Sequence, residues 1–174
     1  MFLRPREVVR FLSAHAFLVP GMTVADLGCG GGYVAILLAA ATGPAGRVLA
    51  VDVQPEAVRE TQELAEVFGY RNIETDQARL AQLSFRDGSV DLAYVSQVLF
   101  QNNKQTEVII AEASRIIAPH GHLAIVEPTT DQVFRHGQIV PRDEIVAAAS
   151  KSHLVLVAER TFDDNYTVVV FAHE

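Results

Sequence analysis

The chain has one cysteine, Cys29, among 174 residues, so it can form neither an internal disulfide nor a cysteine-built metal cage. Lysine is almost as scarce, present only as Lys104 and Lys151, and the net charge is −7. The arginines at Arg47, Arg59, Arg71, Arg79, Arg86 and Arg115 are scattered rather than gathered into a basic patch, which excludes a nucleic-acid surface and suits a ligand carrying positive charge. No apolar run approaches the roughly 20 residues of a membrane span. The first 20 residues carry Arg4, Arg6 and Arg10 but no small-residue cleavage site follows, so the expected location is cytoplasmic and no membrane partner is expected. No repeat, low-complexity tract or Pro/Gly/Ser linker interrupts the chain. It reads as a single domain over 1–174, with an N-terminal helix in 1–20, a core in 21–128 and a last helix and hairpin in 129–174.

What is present is an alternation of periods. Val8, Val9, Leu12 and Phe17 recur at helical spacing before Pro20-Gly21. Thr23 to Leu27 reads as a buried strand, Gly32 to Ala41 as a buried helix and Arg47 to Val51 as a second strand. Pro55 suits a first helical turn. The helix after it presents Val58, Thr61, Leu64, Ala65 and Phe68 on one face and stops at Gly69. Asn72 to Thr75 and Val90 to Val95 are the third and fourth strands. Residues 104–117 form a helix with Val108, Ala111 and Ile116 inward, and His122 to Val126 is the fifth strand. A helix over Pro141 to Lys151 precedes a hairpin, Leu154 to Val157 and Tyr166 to Phe171, turned at Asp163-Asp164-Asn165. Strand–helix alternation of this kind requires parallel strands with right-handed crossovers. The expected fold is α/β, a Rossmann-like doubly wound seven-stranded sheet, mostly parallel, with one antiparallel strand from the C-terminal hairpin. Ligands then bind beyond the carboxyl ends of the strands.

The segment Val24-Ala-Asp26-Leu-Gly28-Cys-Gly30-Gly31-Gly32 places a carboxylate at a strand end before four glycines in five positions. Glycine allows the backbone to approach a ligand closely, and a second acid, Asp52, ends the next strand, where it can accept hydrogen bonds from ribose hydroxyls. A nicotinamide dinucleotide fold wants a third glycine; counting from Gly28 that position is Tyr33, and counting from Gly30 it is Ala35. An NAD-dependent reductase therefore stays open but strained. A carboxylate at Asp26 repels a pyrophosphate and suits an ammonium or sulfonium group.

With these residues in place the chain resembles the class I S-adenosylmethionine-dependent methyltransferases of the small-molecule type. The resemblance rests on the glycine segment, on Ala50-Val-Asp52-Val-Gln, on Leu83-Ser-Phe85-Arg-Asp-Gly88-Ser-Val-Asp91-Leu and on Glu112-Ala-Ser-Arg115-Ile-Ile-Ala-Pro119-His-Gly121-His-Leu, in that order over about residues 20–128. It implies S-adenosylmethionine as cofactor and in-line methyl transfer to a small-molecule acceptor. Asp26, Gly28 and Gly30 then line the methionine and sulfonium end, Asp52 binds the ribose, and Val53 packs on the adenine. The acid that relatives often carry after strand three maps to Arg79 by counting back from Phe85, and to Asp76 only with a shifted gap. Asp76 and Gln77 are the expected adenine contacts on that second count. Ser96 and Gln97 approach the methionine or the acceptor.

Four acceptor-side positions have two readings each. Tyr33 either packs the helix start or shapes the transfer pocket. Gln97, with Gln101, Asn102 and Asn103, is either a substrate contact or part of a polar loop. Glu127 is either a base or acceptor clamp, or a solvated loop acid. His136 belongs either to an acceptor lid or to plain surface. The other histidines show no metal-ligand spacing, so no metal is expected. Strand four runs into Ser96-Gln-Val-Leu-Phe100, without the Asn-Pro-Pro-Tyr run of relatives that methylate base or glutamine amino groups, and no extra cysteines serve arsenic-type chemistry. The short 128–140 segment leaves little chain to cover an acceptor, which suggests a homodimer or an open site. A non-catalytic methyltransferase-like subunit supporting a partner is the alternative from another class.

Overall fold

The computed structural model describes residues 4–129 and 138–174. Along the chain run α1 (Pro5–Ala14), β1 (Thr23–Leu27), α2 (Tyr33–Thr42), β2 (Arg47–Asp52), α3 (Pro55–Phe68), β3 (Ile73–Gln77), β4 (Val90–Ser96), two short 3-10 turns, α4 (Thr106–Ile116), β5 (Ile117–Pro128), α5 (Arg142–Lys151), β6 (Leu154–Phe162) and β7 (Tyr166–His173). One seven-stranded sheet has the order β3-β2-β1-β4-β5-β7-β6. The pairs from β3 through β5 are parallel, and β7 runs antiparallel between β5 and β6. The chain winds outward from β1 to β3, then crosses back to lay β4 against β1. That reversal opens a crevice above the β1 and β4 ends, where a ligand can enter.

Alternation along each strand divides the core into two layers, because successive side chains point to opposite faces. Leu92, Tyr94, Ala124 and Val126 join Val8, Leu12 and Leu38 on the side of α1 and α2. Ala93, Val95, Leu123 and Ile125 join Ile109, Ala113, Ile145 and Ala149 on the side of α4 and α5. Each strand of the centre is buried on both faces, which is why β1, β2 and β4 read as continuous apolar runs.

Two helix faces differ from those expected. In α4 Val108 is 51% exposed and Ala111 is also exposed, while Ile109, Ile110, Ala113 and Ile116 are buried. In α3 the buried line is Ala57, Thr61 and Ala65, and Phe68 is 63% exposed. In both, apolar residues cover more than one stripe, so periodicity admits two faces and only the sheet selects one. Strand three also runs on to Gln77, and both hairpin strands are longer than their apolar runs, because the pairing of β7 to β5 and of β6 to β7 continues through polar residues such as Thr161 and Thr167. No helix among the described residues is long and apolar enough to cross a membrane.

The motif residues downstream of the glycine turn act as braces. Arg115 donates to the carbonyl of Phe85 at 2.8 Å and to Glu112 at 2.7 Å, while Glu112 accepts the Leu83 amide at 2.7 Å. Asp91 accepts the amide of Thr23 at 2.8 Å, tying the start of β1 to β4. These contacts fix the loop from 83 to 91 below the crevice.

Candidate active site

The glycine turn is built by backbone geometry. The amides of Gly28 and Cys29 both donate to the Val51 carbonyl, at 2.8 and 2.9 Å, folding the chain over the end of β2. Gly28 has φ +85°, and a Cβ there would lie 2.4 Å from Val98 Cγ2, so any other residue would be strained and would displace Val98. Gly32, at φ +82°, starts α2 with a Cβ position only 2.8 Å from the Thr61 backbone. Thr61 also donates its hydroxyl to the Gly30 carbonyl at 2.9 Å, so α3 supports the turn from behind.

Asp52 is held by the same turn. Its Oδ2 accepts the Gly30 amide and its Oδ1 the Gln54 amide, both at 3.0 Å. Asp26 is the opposite case: it is 2% exposed, and its Oδ2 has no hydrogen-bond partner among the described residues. Burial, with the nearby Asp52 charge adding to it, pushes the Asp26 carboxyl up to about 7. Ser96, on β4 two residues beyond Tyr94, the register neighbour of Asp26, also buries its hydroxyl. A buried polar atom without a partner is costly, so the Asp26 oxygen suits a polar ligand group.

Asp26, Asp52 and Ser96 face a cleft of about 890 Å³. Asp26, Gly28, Gly30, Tyr33, Asp52, Val53, Ser96 and Gln97, all named from sequence, line it. Val53 is 53% exposed, an apolar side chain standing at the mouth. The hydroxyl of Tyr33 accepts a hydrogen bond from Arg6 Nε at 3.2 Å, and Pro5 of α1 joins the wall. Gln97 has φ +57°, a strained conformation for a side-chain-bearing residue, and its carbonyl accepts Gln101 Nε2 at 2.8 Å.

Asp76, Gln77 and Glu127 do not line the cleft. Asp76 accepts the Ser84 hydroxyl at 2.7 Å, and Gln77 donates to the Val53 carbonyl at 3.2 Å. Arg79 and Leu80 stand in the wall instead, as the ungapped count from Phe85 indicated. An arginine only donates, so it cannot accept hydrogens from an adenine amino group as an acid would. Glu127 is no solvated loop acid, for it is 4% exposed and accepts the backbone amides of Val98, Leu99 and Phe100. Burial pushes its carboxyl up to about 7 against the opposing pull of those three amides. His136 lies outside the described residues. Cys29 is buried in the turn, its thiol pushed up to about 12 chiefly by burial, which removes it as a nucleophile.

Sequence reading missed Pro5, Val34, Ala57, Leu80, Gln105, Ile109 and Tyr166 of the lining. Ala57 follows Asp52 closely and was within reach of a motif argument. Pro5, Ile109 and Tyr166 come from three elements remote in the chain, and no local pattern marks them. Among the described residues no group of three His, Cys, Asp or Glu side chains could hold a metal ion.

A glycine turn between a buried carboxylate and a second strand-end acid, at the reversal point of this sheet order, defines a class of α/β protein whose ligand crevice lies over that turn. The particular family follows from comparison: residues 18–163 match the methyltransferase domain family, and the chain belongs to it. An arsenite methyltransferase from Halobacterium salinarum is 30% identical over 112 residues, which cover 64% of this chain and 28% of that protein. The chain spans about a third of the length of the first curated relatives it matches. A SAM-dependent methyltransferase from Aquifex aeolicus superposes with a TM-score of 0.81 at 22% identity, covering 97% of this chain and 88% of the other. Magnesium protoporphyrin IX methyltransferase from Synechocystis, with S-adenosylhomocysteine (SAH) bound, gives 0.79 at 21% identity, covering 98% and 81%. The family's methyl donor is S-adenosylmethionine.

Proposed function

We propose that this chain transfers a methyl group from S-adenosylmethionine to a small-molecule acceptor. The observation that carries the reading is the buried, unpartnered carboxylate oxygen of Asp26 facing a cleft whose other acid, Asp52, is held rigid by the glycine turn. These residues fit the donor: Asp26 for the cationic methionine end, Asp52 for the ribose hydroxyls, Gly28 and Gly30 for close backbone approach, and Val53 and Leu80 for the faces of the base.

When bound, the donor supplies a methyl group already attached to a cationic sulfur, so its leaving group departs neutral. What the protein adds is alignment and exclusion of water, which together contribute on the order of 7–11 kcal/mol. Pro5, Tyr33, Gln97 and Tyr166 also line the cleft, and we assign them to the acceptor. Their amides and aromatic rings orient an acceptor without adding charge. A cleft of about 890 Å³ has room for a nucleoside-sized ligand beside a small acceptor. Arsenic chemistry does not fit this chain, whose one cysteine, Cys29, is buried.

Thermal denaturation with S-adenosylmethionine, SAH and NAD tests the cofactor. At 100 times its dissociation constant a ligand stabilises by about 2.7 kcal/mol, here a rise of roughly 5–10 °C in Tm. That rise is expected with the two sulfur nucleosides and not with NAD. A shift with NAD alone would overturn the reading, and acceptor screening by release of SAH follows only if the first result holds.

The affinity for SAH is expected to depend on pH through Asp26. Its carboxyl titrates near 7 in the free protein, and the ligand's ammonium favours the ionised form. Binding therefore strengthens as pH rises from 6 to about 7.5 and levels above it, by up to about tenfold per pH unit. Stability of the ligand-free protein runs the other way. The raised pKa favours the folded state at low pH, and that contribution is lost as pH rises from about 4 through about 7. Titration calorimetry from pH 5.5 to 8.5 checks the affinity, and Asp26→Asn should make the profile shallower, the remaining dependence coming from Glu127, whose carboxyl is also pushed up to about 7.

A further inference from the structure

Glu127 is a buried acid that the proposed reaction does not use. Its Oε1 accepts the amides of Val98 and Leu99 at 2.9 and 2.8 Å, and its Oε2 accepts the amide of Phe100 at 3.1 Å. Three consecutive backbone donors converge on one carboxylate that lies outside the cleft and is 4% exposed. The segment it gathers leads from β4 into the cleft wall. Gln97, immediately before it, is held at φ +57° while its own amide donates to the Val126 carbonyl at 2.8 Å, next to Glu127 in β5. Val98 presses onto the glycine turn: its Cγ2 occupies the space a Cβ on Gly28 would need, 2.4 Å from that position. Gln97 and Val98 both line the cleft.

Resting on the cofactor assignment proposed above, we infer that Glu127 is a positioning residue: by holding the amides of residues 98–100 it sets Val98 against Gly28 and Gln97 at the cleft, so that the cofactor turn is formed before ligand arrives. A carboxylate suits this task because all its hydrogen-bonding capacity is acceptor. A glutamine of the same shape has an NH2 group where one acceptor stood, and that group would face a backbone N–H, donor against donor.

The test measures SAH affinity by calorimetry in the full chain, well below the melting temperature, for the wild type, Glu127→Gln and Ile116→Val. Ile116 is buried in α4 away from the cleft and serves as a control for loss of stability alone. Glu127→Gln is expected to weaken binding at least fivefold, and Ile116→Val to leave it within twofold. A loss below fivefold in Glu127→Gln, or an equal loss in both variants, overturns the inference. In the ligand-free wild type, the amide hydrogens of Val98, Leu99 and Phe100 should exchange as slowly as those of β4. Exchange at the rate of an exposed loop overturns the inference even if the Gln variant does not fold. A wild type that fails to bind SAH refutes the cofactor assignment. A wild type that binds while Glu127→Gln binds equally well refutes only the positioning role.

Discussion

Asp52→Ala is expected to erase nearly all of the stabilisation that SAH gives the wild type. Hydrogen bonds to a charged group contribute about 1.5–3 kcal/mol each, so losing those to two ribose hydroxyls costs about 3 kcal/mol or more, at least a hundredfold in Kd. At a ligand concentration that raises the wild-type Tm by roughly 5–10 °C, the variant should retain about 1 °C. The substitution has a second consequence within the protein. The amides of Gly30 and Gln54 lose their acceptor, so the turn loosens and the ligand-free Tm falls as well. Asp52→Asn separates the two effects: its single amide oxygen can still receive one of the backbone amides, so its ligand-free Tm should lie between those of the wild type and Asp52→Ala. A full ligand-induced shift in Asp52→Ala would remove the ribose assignment.

Gly32→Ala is expected to be among the most destabilising single-methyl changes in this chain. The residue sits at φ +82°, which costs an alanine about 1–2 kcal/mol. Its new methyl carbon would also lie 2.8 Å from the Thr61 Cα, and backbone cannot rotate aside as a side-chain tip can. Overpacking of this kind adds about 1–3 kcal/mol, so the total is about 2–5 kcal/mol. A fall of roughly 5–15 °C in Tm should follow. Gly69→Ala is the matched comparison, since Gly69 has φ +75° but open space around its Cβ position. It should lose only the conformational share. Equal losses at the two positions would show that the contact between α2 and α3 is not tight.

How far this was visible in the sequence depends on how local each feature is. The glycine turn and its two acids are contiguous with the strands that carry them, so Asp26, Gly28, Gly30 and Asp52 could be named from pattern. So could Val53, Ser96 and Gln97, which directly follow strand ends. Asp76 and Gln77 were displaced by the register of strand three: it extends through both, Asp76 is taken up by Ser84, and Arg79 and Leu80 reach the cleft. Glu127 shows the limit most clearly. Its position at the end of β5 was correctly placed, but its partners are three amides nearly thirty residues earlier. Whether such an acid faces solvent, substrate or backbone is decided by the β4–β5 pairing, which carries no signature in either strand alone.

Periodicity, glycine spacing and strand-end acids by themselves determined an α/β chain with a glycine turn between two acids, because helix, strand and turn geometry are local properties of the backbone. Only the tertiary structure decided which face of α3 and α4 is buried, that β7 lies between β5 and β6, and that Asp26 Oδ2 has no partner among the described residues while Glu127 has three. The reason is the same in each case: burial and hydrogen-bond satisfaction belong to pairs of elements, and no single segment contains the information about its neighbour.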